Sequence, residues 1–323
     1  MVALSMNNSK FNSIISELGQ LTDKQSRELE IALQAQDPIA TILRQIESRL
    51  IEHPECPHCY SNTINRHGKI NKTQRYRCKN CLKTFVATTK TPLARLRLKE
   101  RWGDYFNCML QGKPLRGSAH ECGINLKTSF RWRHRFLTLP SQQKAAKLEG
   151  IIEADETFFA YSEKGSRELK RPPKKRGDKA GKRGRSSEDW VPVVTLRDRG
   201  KQTYEAVMPH VTAKKLSEEL KGKLEKDSVL CTDGFKVYIK FSKDNELTHK
   251  RLNISHGVRV IEKVFHIQNV NAYHSRLKMW MQRFHGVATK YLENYLGWFR
   301  FMDDPKNCNT ISLFKAQQQL NGT

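Results

Sequence analysis

The sequence predicts an α/β fold for its C-terminal half, preceded by smaller helical and metal-binding modules. From about Leu148 onward, short apolar and β-branched runs alternate with stretches of helical periodicity, which is the pattern of an α/β core. Upstream lie two Cys-x-x-Cys pairs and then an aromatic-rich helical segment. A chain of 323 residues is long enough for about two or three domains.

Changes in charge, cysteine content and hydrophobic periodicity divide the chain into five segments. We predict an N-terminal helical segment at 1–52, a zinc ribbon at 53–97, a helix-turn-helix-like domain at 98–140, an α/β core at 148–305 with a basic insertion at 163–187, and a C-terminal tail at 306–323.

The net charge indicates a polyanionic partner. The chain has 58 Lys and Arg against 33 Asp and Glu, a formal charge of +25 and a pI of about 9.8. Between Cys56 and Lys99 there are basic residues throughout and no acidic one. Such a surface attracts nucleic acid, with an affinity that falls steeply as salt rises. The alternative is a basic but otherwise ordinary soluble enzyme.

The sequence also predicts a cytoplasmic location and reduced thiols. The first ten residues have no basic segment leading into an apolar run, and no stretch reaches the roughly 18 apolar residues of a membrane span. The cysteines outside the two pairs are scattered, at Cys108, Cys122, Cys231 and Cys308, so a disulfide framework is not expected.

Residues 11–52 are predicted to form two short helices. The second begins with Asp37 as its cap and Pro38 in the first helical position. One apolar face follows, made by Ile39, Ile42, Leu43, Ile46 and Leu50. Such a stripe ordinarily serves packing, and dimerisation or accessory DNA contact is the alternative.

The two cysteine pairs predict a structural zinc site. Cys56 and Cys59 form one pair, Cys78 and Cys81 the other, and a hairpin between them would bring four thiolates together tetrahedrally. His58 and His67 are possible substitute ligands. Residues 74–77 alternate as a strand, so Arg75 and Arg77 should share one face and contact DNA. A protein-binding ribbon is the alternative.

Residues 98–140 are predicted to form a helix-turn-helix-like domain. Aromatic residues recur at helical spacing from Trp102, the pattern breaks at residues 112–114, and a turn at Gly123 separates a short helix from a helix at about Thr128–Leu137. Its basic residues, predicted to lie near a DNA groove or backbone, are Lys127, Arg131, Arg133 and Arg135. An ordinary helical hairpin is the alternative.

The predicted core has the element order of a ribonuclease-H-like fold. We expect a strand ending at Asp155, strands at about 191–196 and 203–208, a helix at about 213–224, a strand at 229–232 and a long C-terminal helical region. The insertion at 163–187 is rich in Lys, Arg, Gly and Pro, so it cannot bury a core of its own. It is either a clamp on DNA, through Lys174, Lys175 and Arg176, or a solvated insertion.

Two aspartates, an asparagine and a lysine form the chemical centre of this core. Asp155 and Asp233 follow separate apolar stretches, and Asn271 lies seven residues before Lys278, on the same helical face. Oxygen ligands of this kind could hold paired divalent cations beside a phosphodiester, and the lysine ammonium could meet a phosphate.

The third ligand is left open by the sequence. Asn271 offers an amide oxygen but no charge, so metal affinity should be lower than with three carboxylates. Glu153 shares a strand face with Asp155, and Glu262 precedes the last helical region, so either could supply the missing carboxylate. Asn271 and Lys278 could also be an ordinary helix cap and a solvated helix residue.

These motifs together resemble the ISXO2-like (IS1595) group of bacterial insertion-sequence transposases. The resemblance covers about residues 52–305. It rests on the two cysteine pairs, Ala154-Asp155-Glu156-Thr157, Thr232-Asp233-Gly234, and the run from His266 to Asn271 leading to Lys278.

The resemblance implies a zinc ribbon joined to a ribonuclease-H-like catalytic core of the Asp-Asp-Glu type. Such a protein acts on terminal inverted repeats of double-stranded DNA with Mg²⁺ or Mn²⁺. We expect it to bind element ends and target DNA as a homo-oligomer. By resemblance Asp155 and Asp233 are the first two metal ligands, and Lys278 matches the lysine after the third ligand. Asn271 stands where most members of the wider superfamily place Glu, although some branches of this group carry Asn there. A ribonuclease-H-like nuclease and a zinc-ribbon DNA-binding regulator with an inactive core are the alternatives.

Overall fold

The computed structural model describes residues 7–26, 28–29, 38–71, 73–169, 171–172, 189–253 and 256–304. The chain divides into two compact units, Met1–Phe106 and Asn107–Thr323. The division falls inside the helical segment that the sequence predicted at 98–140. None of the described helices combines the length and the apolar composition needed to cross a membrane.

The first unit contains two helices and a small sheet. Helices α1 (Asn8–Glu17) and α2 (Pro38–Glu52) precede strands β1 (Ile64–Ile70), β2 (Thr73–Cys78) and β3 (Thr84–Val86), which pair antiparallel in the order β1-β2-β3. α2 begins at Pro38, as predicted, and Asp37 lies outside the described residues.

Helix α2 packs against this small sheet. The Tyr76 hydroxyl donates a hydrogen bond to Glu47 Oε1 at 3.2 Å, and Leu50 packs against the buried cluster around Tyr76 and Phe85. This agrees with the ordinary packing role expected for the apolar stripe of the second helix. Leu43 and Ile46, on the same stripe, are half-buried.

Three helices connect the small sheet to the large one. These are α3 (Trp102–Leu110), α4 (Leu115–Glu121) and α5 (Leu126–Gln142). Gly112 and Gly123 adopt positive φ of 66° and 59° at the two breaks, a conformation that glycine adopts without strain. Cys108 and Cys122 are buried free thiols with their Sγ atoms 3.8 Å apart.

The second unit is built on a five-stranded mixed sheet. Its strands are β4 (Ile151–Ala160), β5 (Trp190–Asp198), β6 (Thr203–Val207), β7 (Val229–Thr232) and β8 (Thr248–Arg251), in the order β6-β5-β4-β7-β8. β4, β5 and β6 pair antiparallel, whereas β7 and β8 run parallel to β4. Its helices are α6 (Ala213–Glu219), α7 (Lys236–Asp244), α8 (Gln268–Gln282) and α9 (Leu292–Asp303).

This mixed α/β architecture is consistent with the predicted ribonuclease-H-like core. The strand at Val229–Thr232 has the predicted bounds, but α6 ends at Glu219, earlier than expected. The sequence did not identify α7 or β8. Both are short, and β8 (Thr-His-Lys-Arg) has no apolar residue to indicate a strand.

The two faces of the sheet carry different side chains because residues alternate along a strand. Ile152 and Ala154 of β4 point to the face covered by α6 and α7, where they pack with Leu216, Tyr238 and Phe241. Glu153 and Asp155 point to the opposite face and contact α8. The polar residues of β4 are therefore directed at one helix.

A buried ionic network fixes α8 and α9 on the sheet. Glu205 of β6 accepts hydrogen bonds from the Tyr273 hydroxyl at 3.0 Å and from Arg300 Nη1 at 2.6 Å. Burial raises the pKa of Glu205, while Arg300 opposes this effect. Asp303 pairs with Arg197 of β5 at 3.0 Å and also with Arg276 of α8. Helix α8 is thus tied to β6 through Tyr273 and to α9 through Arg276.

Helices α5 and α9 pack at very close range. A Cβ atom added to Gly297 would lie 2.4 Å from Cα of Ser141 and 2.5 Å from the carbonyl oxygen of Pro140. Such distances are far below van der Waals contact, so glycine is required at this crossing. α5 is therefore an integral part of the second unit.

Candidate functional site

Two aspartates lie side by side near the middle of the large sheet. β4 and β7 run parallel, and their last backbone pair joins Ala154 to Thr232. Asp155 is the next residue of β4, and Asp233 directly follows the end of β7. Because neighbouring strands lie about 4.8 Å apart, the sheet holds these two residues next to each other.

Asp155 does not end its strand, contrary to the sequence prediction. β4 continues to Ala160, because it pairs with β5 as far as Trp190. β7 stops at Thr232, so Asp155 is the first residue of β4 beyond its pairing with β7. Its side chain is 19% exposed and remains reachable.

The electrostatics of a buried tyrosine agree with this placement of the aspartates. The pKa of Tyr238, in α7, is raised well above its ordinary value, first by complete burial and then by the carboxylate of Glu156. The charges of Asp155 and Asp233 add to this rise. Both aspartates therefore lie close enough to one hydroxyl to act on it.

Asp233 also shapes the turn that follows β7. Its Oδ1 accepts a hydrogen bond from the backbone N–H of Phe235 at 2.9 Å. The guanidinium group of Arg251, the last residue of β8, lies beside Gly234, 3.4 Å from where a Cβ atom would stand. Sequence reasoning missed Arg251, since only the pairing of β8 with β7 brings this exposed cation beside Gly234, the residue after Asp233.

Helix α8 carries a third group of polar side chains, one of which reaches Asp155. Asn271, His274 and Lys278 are spaced by three and four residues, so they share one helix face. Nδ1 of His274 lies 3.5 Å from Oδ2 of Asp155, and only 6% of His274 is exposed. Asn271 and Lys278 are exposed about one turn to either side of it. The predicted Asn271 and Lys278 thus belong to the face of α8 that covers Asp155.

His274 is the residue that sequence reasoning overlooked in this helix. Its position on the helix could be predicted from the sequence, because it lies on the same face as Asn271 and Lys278 and between them. Its partner, Asp155, could not be predicted, because it lies on a strand more than a hundred residues earlier.

The Glu153 carboxylate caps the N-terminus of α8. Its Oε2 accepts hydrogen bonds from the backbone N–H groups of Asn269 at 2.8 Å and Val270 at 3.0 Å. Its Oε1 accepts from the Asn269 side chain at 2.8 Å and pairs with Arg199 at 2.9 Å and His266 at 3.3 Å. A carboxylate at a helix N-terminus satisfies its free N–H groups and its dipole. Both oxygens of this buried side chain are thereby occupied.

Glu262, the other candidate carboxylate, lies in the turn between Ile261 and Phe265. It is exposed, and it forms an ion pair with Lys250 of the edge strand β8. The negative charge of Glu262 is therefore paired with a lysine of that strand.

The four cysteines of the first unit form a cluster suited to zinc. Their Sγ atoms all lie within 4.8 Å of one another, with Cys56 3.7 Å from Cys81 and Cys59 3.6 Å from Cys78. Four sulfurs around zinc at about 2.3 Å stand about 3.8 Å apart, so the separations fit that ion. The backbone N–H groups of His58 and Cys81 point to the sulfurs of Cys56 and Cys78.

Strand β2 carries two of the basic residues predicted to contact DNA. Tyr76 and Cys78 are buried on one face, which leaves Arg75 and Arg77 on the other, as the alternation predicted. Arg77 is exposed. Arg75 is half-buried, and its Nε donates a hydrogen bond to the carbonyl oxygen of His67 at 3.0 Å.

Helix α5 presents some of its predicted basic residues and buries another. Lys127 and Arg131 are exposed, and Arg135 is half-buried. Arg133 is fully buried: it donates hydrogen bonds to the carbonyl oxygen of Lys113 at 2.9 Å and to Ser118 Oγ at 3.0 Å, and it lies 4.5 Å above the Trp298 ring.

The prediction that Arg133 lies at a DNA groove is therefore wrong. On α5 it falls beside the buried Trp132 and Phe136, on the face that packs into the unit. The three cations predicted in the insertion, Lys174, Lys175 and Arg176, lie outside the described residues.

Comparison with known proteins shows what the chain is similar to. Residues 147–304 match the model of the ISXO2-like transposase domain. A protein of Halobacterium salinarum described as an uncharacterized protein in transposable element ISH50 is 28% identical over 264 residues, which are 81% of this chain and 88% of that protein. An uncharacterized transposase-like protein of Haemophilus influenzae is 27% identical over 95 residues, which are 29% of this chain and 75% of that protein.

Proposed function

We propose, since the chain belongs to the ISXO2-like transposase family through residues 147–304, that it cuts and joins DNA at the ends of an insertion sequence. It binds the terminal inverted repeats, cleaves a strand at the element end and transfers that end to target DNA. The observation that carries the proposal is the adjacency of Asp155 and Asp233 on β4 and β7, with α8 laid over Asp155.

Asp155, Asp233 and Asn271 are the residues that would hold divalent cations. Carboxylate and amide oxygens are the donors that Mg²⁺ and Mn²⁺ prefer, and the two carboxylates supply the negative charge. Bound there, the cations would stabilise the attacking and leaving oxygens of a phosphodiester in an in-line displacement.

The contacts of the two glutamates support Asn271 as the third ligand. Glu153 is occupied at the start of α8, and Glu262 is paired with Lys250. Asn271 is exposed on the face of α8 that carries His274 to Asp155. An amide in place of a carboxylate leaves the site one negative charge short, so metal should bind more weakly than in a three-carboxylate centre.

Lys278 of α8 is the residue that would orient the DNA. The Lys278 ammonium, exposed on the same helix face, is suited to a phosphate oxygen near the reacting bond. Water is the nucleophile for cleavage, and the freed 3′ hydroxyl is the nucleophile for transfer. Neither step requires a covalent bond to the protein.

Recognition of the element ends is assigned to elements upstream of the core. We propose that Cys56, Cys59, Cys78 and Cys81 bind structural Zn²⁺, and that the resulting ribbon presents Arg75 and Arg77 to double-stranded DNA. Helices α4 and α5 act as a helix-turn-helix-like element, in which Lys127, Arg131 and Arg135 contact the DNA. Because two ends must be joined to one target, the active form is a homo-oligomer on DNA.

One experiment separates this function from its alternatives. Purified protein is incubated with Mg²⁺ or Mn²⁺ and a DNA fragment carrying the repeats that flank its own gene. Cleavage at the repeat and joining to a second duplex are expected. Cleavage without joining would indicate a ribonuclease-H-like nuclease, and specific binding with neither reaction would indicate a DNA-binding regulator.

A further inference from the structure

A cavity of about 1240 Å³ opens beside the candidate catalytic residues, and it is lined in part by Lys278. It lies between the second half of β4, the segment that follows it, the start of β5 and the end of α8. We call it the α8 cavity. We propose that it binds one unstacked nucleotide of the DNA strand held at Asp155 and Asp233, so the inference rests on the proposed function.

The lining favours a flat ring. Phe159, Tyr161 and Trp190 contribute aromatic groups, and Met281 of α8 contributes a polarisable thioether. Nucleobases stack on aromatic side chains largely irrespective of their sequence. Cavities that bind ligands of this size range from about 300 to 1,000 Å³, so one nucleotide fits with room for water.

The charges of the lining favour an anionic ligand. Lys164, Arg171 and Lys278 line the cavity with one carboxylate, Glu163, and because Arg171 pairs with Asp189 outside the lining, the net charge of the group is about +1. The ammonium of Lys164 donates to the uncharged carbonyl oxygens of Phe284, His285 and Gly286, at 3.4, 3.0 and 3.0 Å, so its positive charge is not cancelled there. An aromatic ring with a phosphate satisfies both features, whereas an apolar peptide satisfies one of them.

The walls are tied together by hydrogen bonds and are therefore preformed. The Ser162 N–H donates to Thr289 Oγ1 at 2.9 Å, and the Thr289 N–H donates back to the Ser162 carbonyl at 2.8 Å. Arg171 pairs with Asp189 at 2.7 Å, donates to the Tyr161 carbonyl at 2.8 Å, and lies 4.4 Å above the Tyr161 ring. A cavity held open in this way can accept a base without reorganisation.

The distance to the aspartates identifies the nucleotides concerned. Phe159 follows Asp155 by four residues on the same face of β4, which is about 13 Å along an extended strand. This length corresponds to roughly four base steps of B-form DNA at about 3.4 Å each. The base that enters the cavity therefore belongs to the first few nucleotides beside the reacting phosphate.

Photocrosslinking of the full-length protein tests the proposal. One probe is the duplex repeat end with a single 5-iododeoxyuridine at each position near the cleavage site in turn. A second probe, which needs no recognition of the repeat, is a short oligothymidylate carrying one 5-iododeoxyuridine. Adducts mapped by mass spectrometry are expected on the peptides that contain Phe159, Tyr161, Trp190 or Met281.

Matched variants give the quantitative result. Phe159→Leu, which keeps apolar volume, and Met281→Ala should each lower the yield of cavity adducts roughly tenfold, while duplex affinity stays unchanged. Met279→Ala is the control, because Met279 lies on the same helix but is 62% exposed and outside the lining. Adducts that map elsewhere, or yields that the two cavity variants leave unchanged, would overturn the proposal.

The two proposals fail separately. Strand transfer without cavity adducts would remove the nucleotide site and leave the transposase function intact. Cavity adducts on the oligothymidylate without any cleavage or transfer of repeat DNA would support the nucleotide site and contradict the proposed function.

Discussion

Nδ1 of His274 lies 3.5 Å from Oδ2 of Asp155, so a helix residue between Asn271 and Lys278 contacts the first proposed metal ligand. His274 is 6% exposed and cannot meet DNA directly. We infer that it positions the Asp155 carboxylate, in the way that neighbours of metal ligands commonly fix their orientation.

His274→Ala should lower strand transfer by about 10- to 100-fold, because the loss of a group that orients a ligand typically costs that much in metal affinity or activity. The measurement is the reaction rate over a Mg²⁺ and Mn²⁺ titration, in which the half-saturating concentration should rise. His274→Asn, which keeps a nitrogen near Nδ1, should recover part of the loss. An unchanged metal dependence in a folded His274→Ala protein would contradict the positioning role.

Asn271→Ala should abolish cleavage and transfer while DNA affinity is kept, because the third oxygen ligand is lost. Asn271→Glu should retain activity, since it restores a carboxylate at the same helix position. Asp155→Ala and Asp233→Ala should be inactive, and Glu262→Ala should behave as the native protein because Glu262 pairs with Lys250. Full activity of Asn271→Ala, measured on repeat DNA, would exclude this residue from the site.

Glu153→Gln should destabilise the fold rather than act on metal binding. The amide would place N–H donors against the backbone N–H groups of Asn269 or Val270 and would leave Arg199 without its partner. Leaving a buried backbone N–H donor without its acceptor costs about 1–3 kcal/mol. Urea unfolding gives the free energy, and Glu262→Gln is the exposed control. Native stability together with a loss of metal-dependent cleavage would instead make Glu153 a ligand.

The cysteine cluster should contain about one zinc per chain. Metal analysis of the purified protein checks this, and Cys78→Ser should lower both the zinc content and the binding of repeat DNA. Cys122→Ser is the matched control, because Cys122 is a buried thiol outside the cluster. Zinc content and repeat binding that both survive Cys78→Ser would rule out the ribbon.

Arg131 and Arg133 lie two residues apart on α5, and their substitution should affect two different properties of the protein. Arg131→Ala should weaken DNA binding and reduce the salt dependence by about one counterion, with stability unchanged, because Arg131 is exposed. Arg133→Ala should cost about 2–4 kcal/mol of stability, because its buried hydrogen bonds and its contact with Trp298 are lost. Salt-dependent binding isotherms and urea unfolding measure the two effects. Equal effects of both variants on DNA binding would contradict this assignment.

Several features follow from local pattern and were predicted from the sequence. The cysteine spacing predicted a four-sulfur cluster, and the Sγ atoms do converge. The alternation in β2, the turn at Gly123 and the strand Val229–Thr232 were predicted from residues close together in the chain. The common face of Asn271 and Lys278 follows from helical periodicity, which needs no partner.

Other features depend on which distant segments meet, and the sequence alone does not contain that information in readable form. Glu153 has the right spacing to be a ligand beside Asp155, yet it bonds to Asn269, 116 residues later, and so belongs to the start of α8. Arg133 is one of several basic residues on α5, and only the packing of that helix against α4 and α9 makes it a buried one.

The order of residues alone predicts the chemical type and local periodicity of each element: paired cysteines, aspartates within or directly after apolar stretches, and a basic composition. The tertiary structure decided which of these groups are available, since an oxygen or a cation already bonded inside the fold cannot serve a substrate. Pairing of β4 with β7 brings Asp155 and Asp233 together, and α8 brings His274 to Asp155. The physical reason is that contacts between strands and helices depend on sheet order and packing, which no local window of residues specifies.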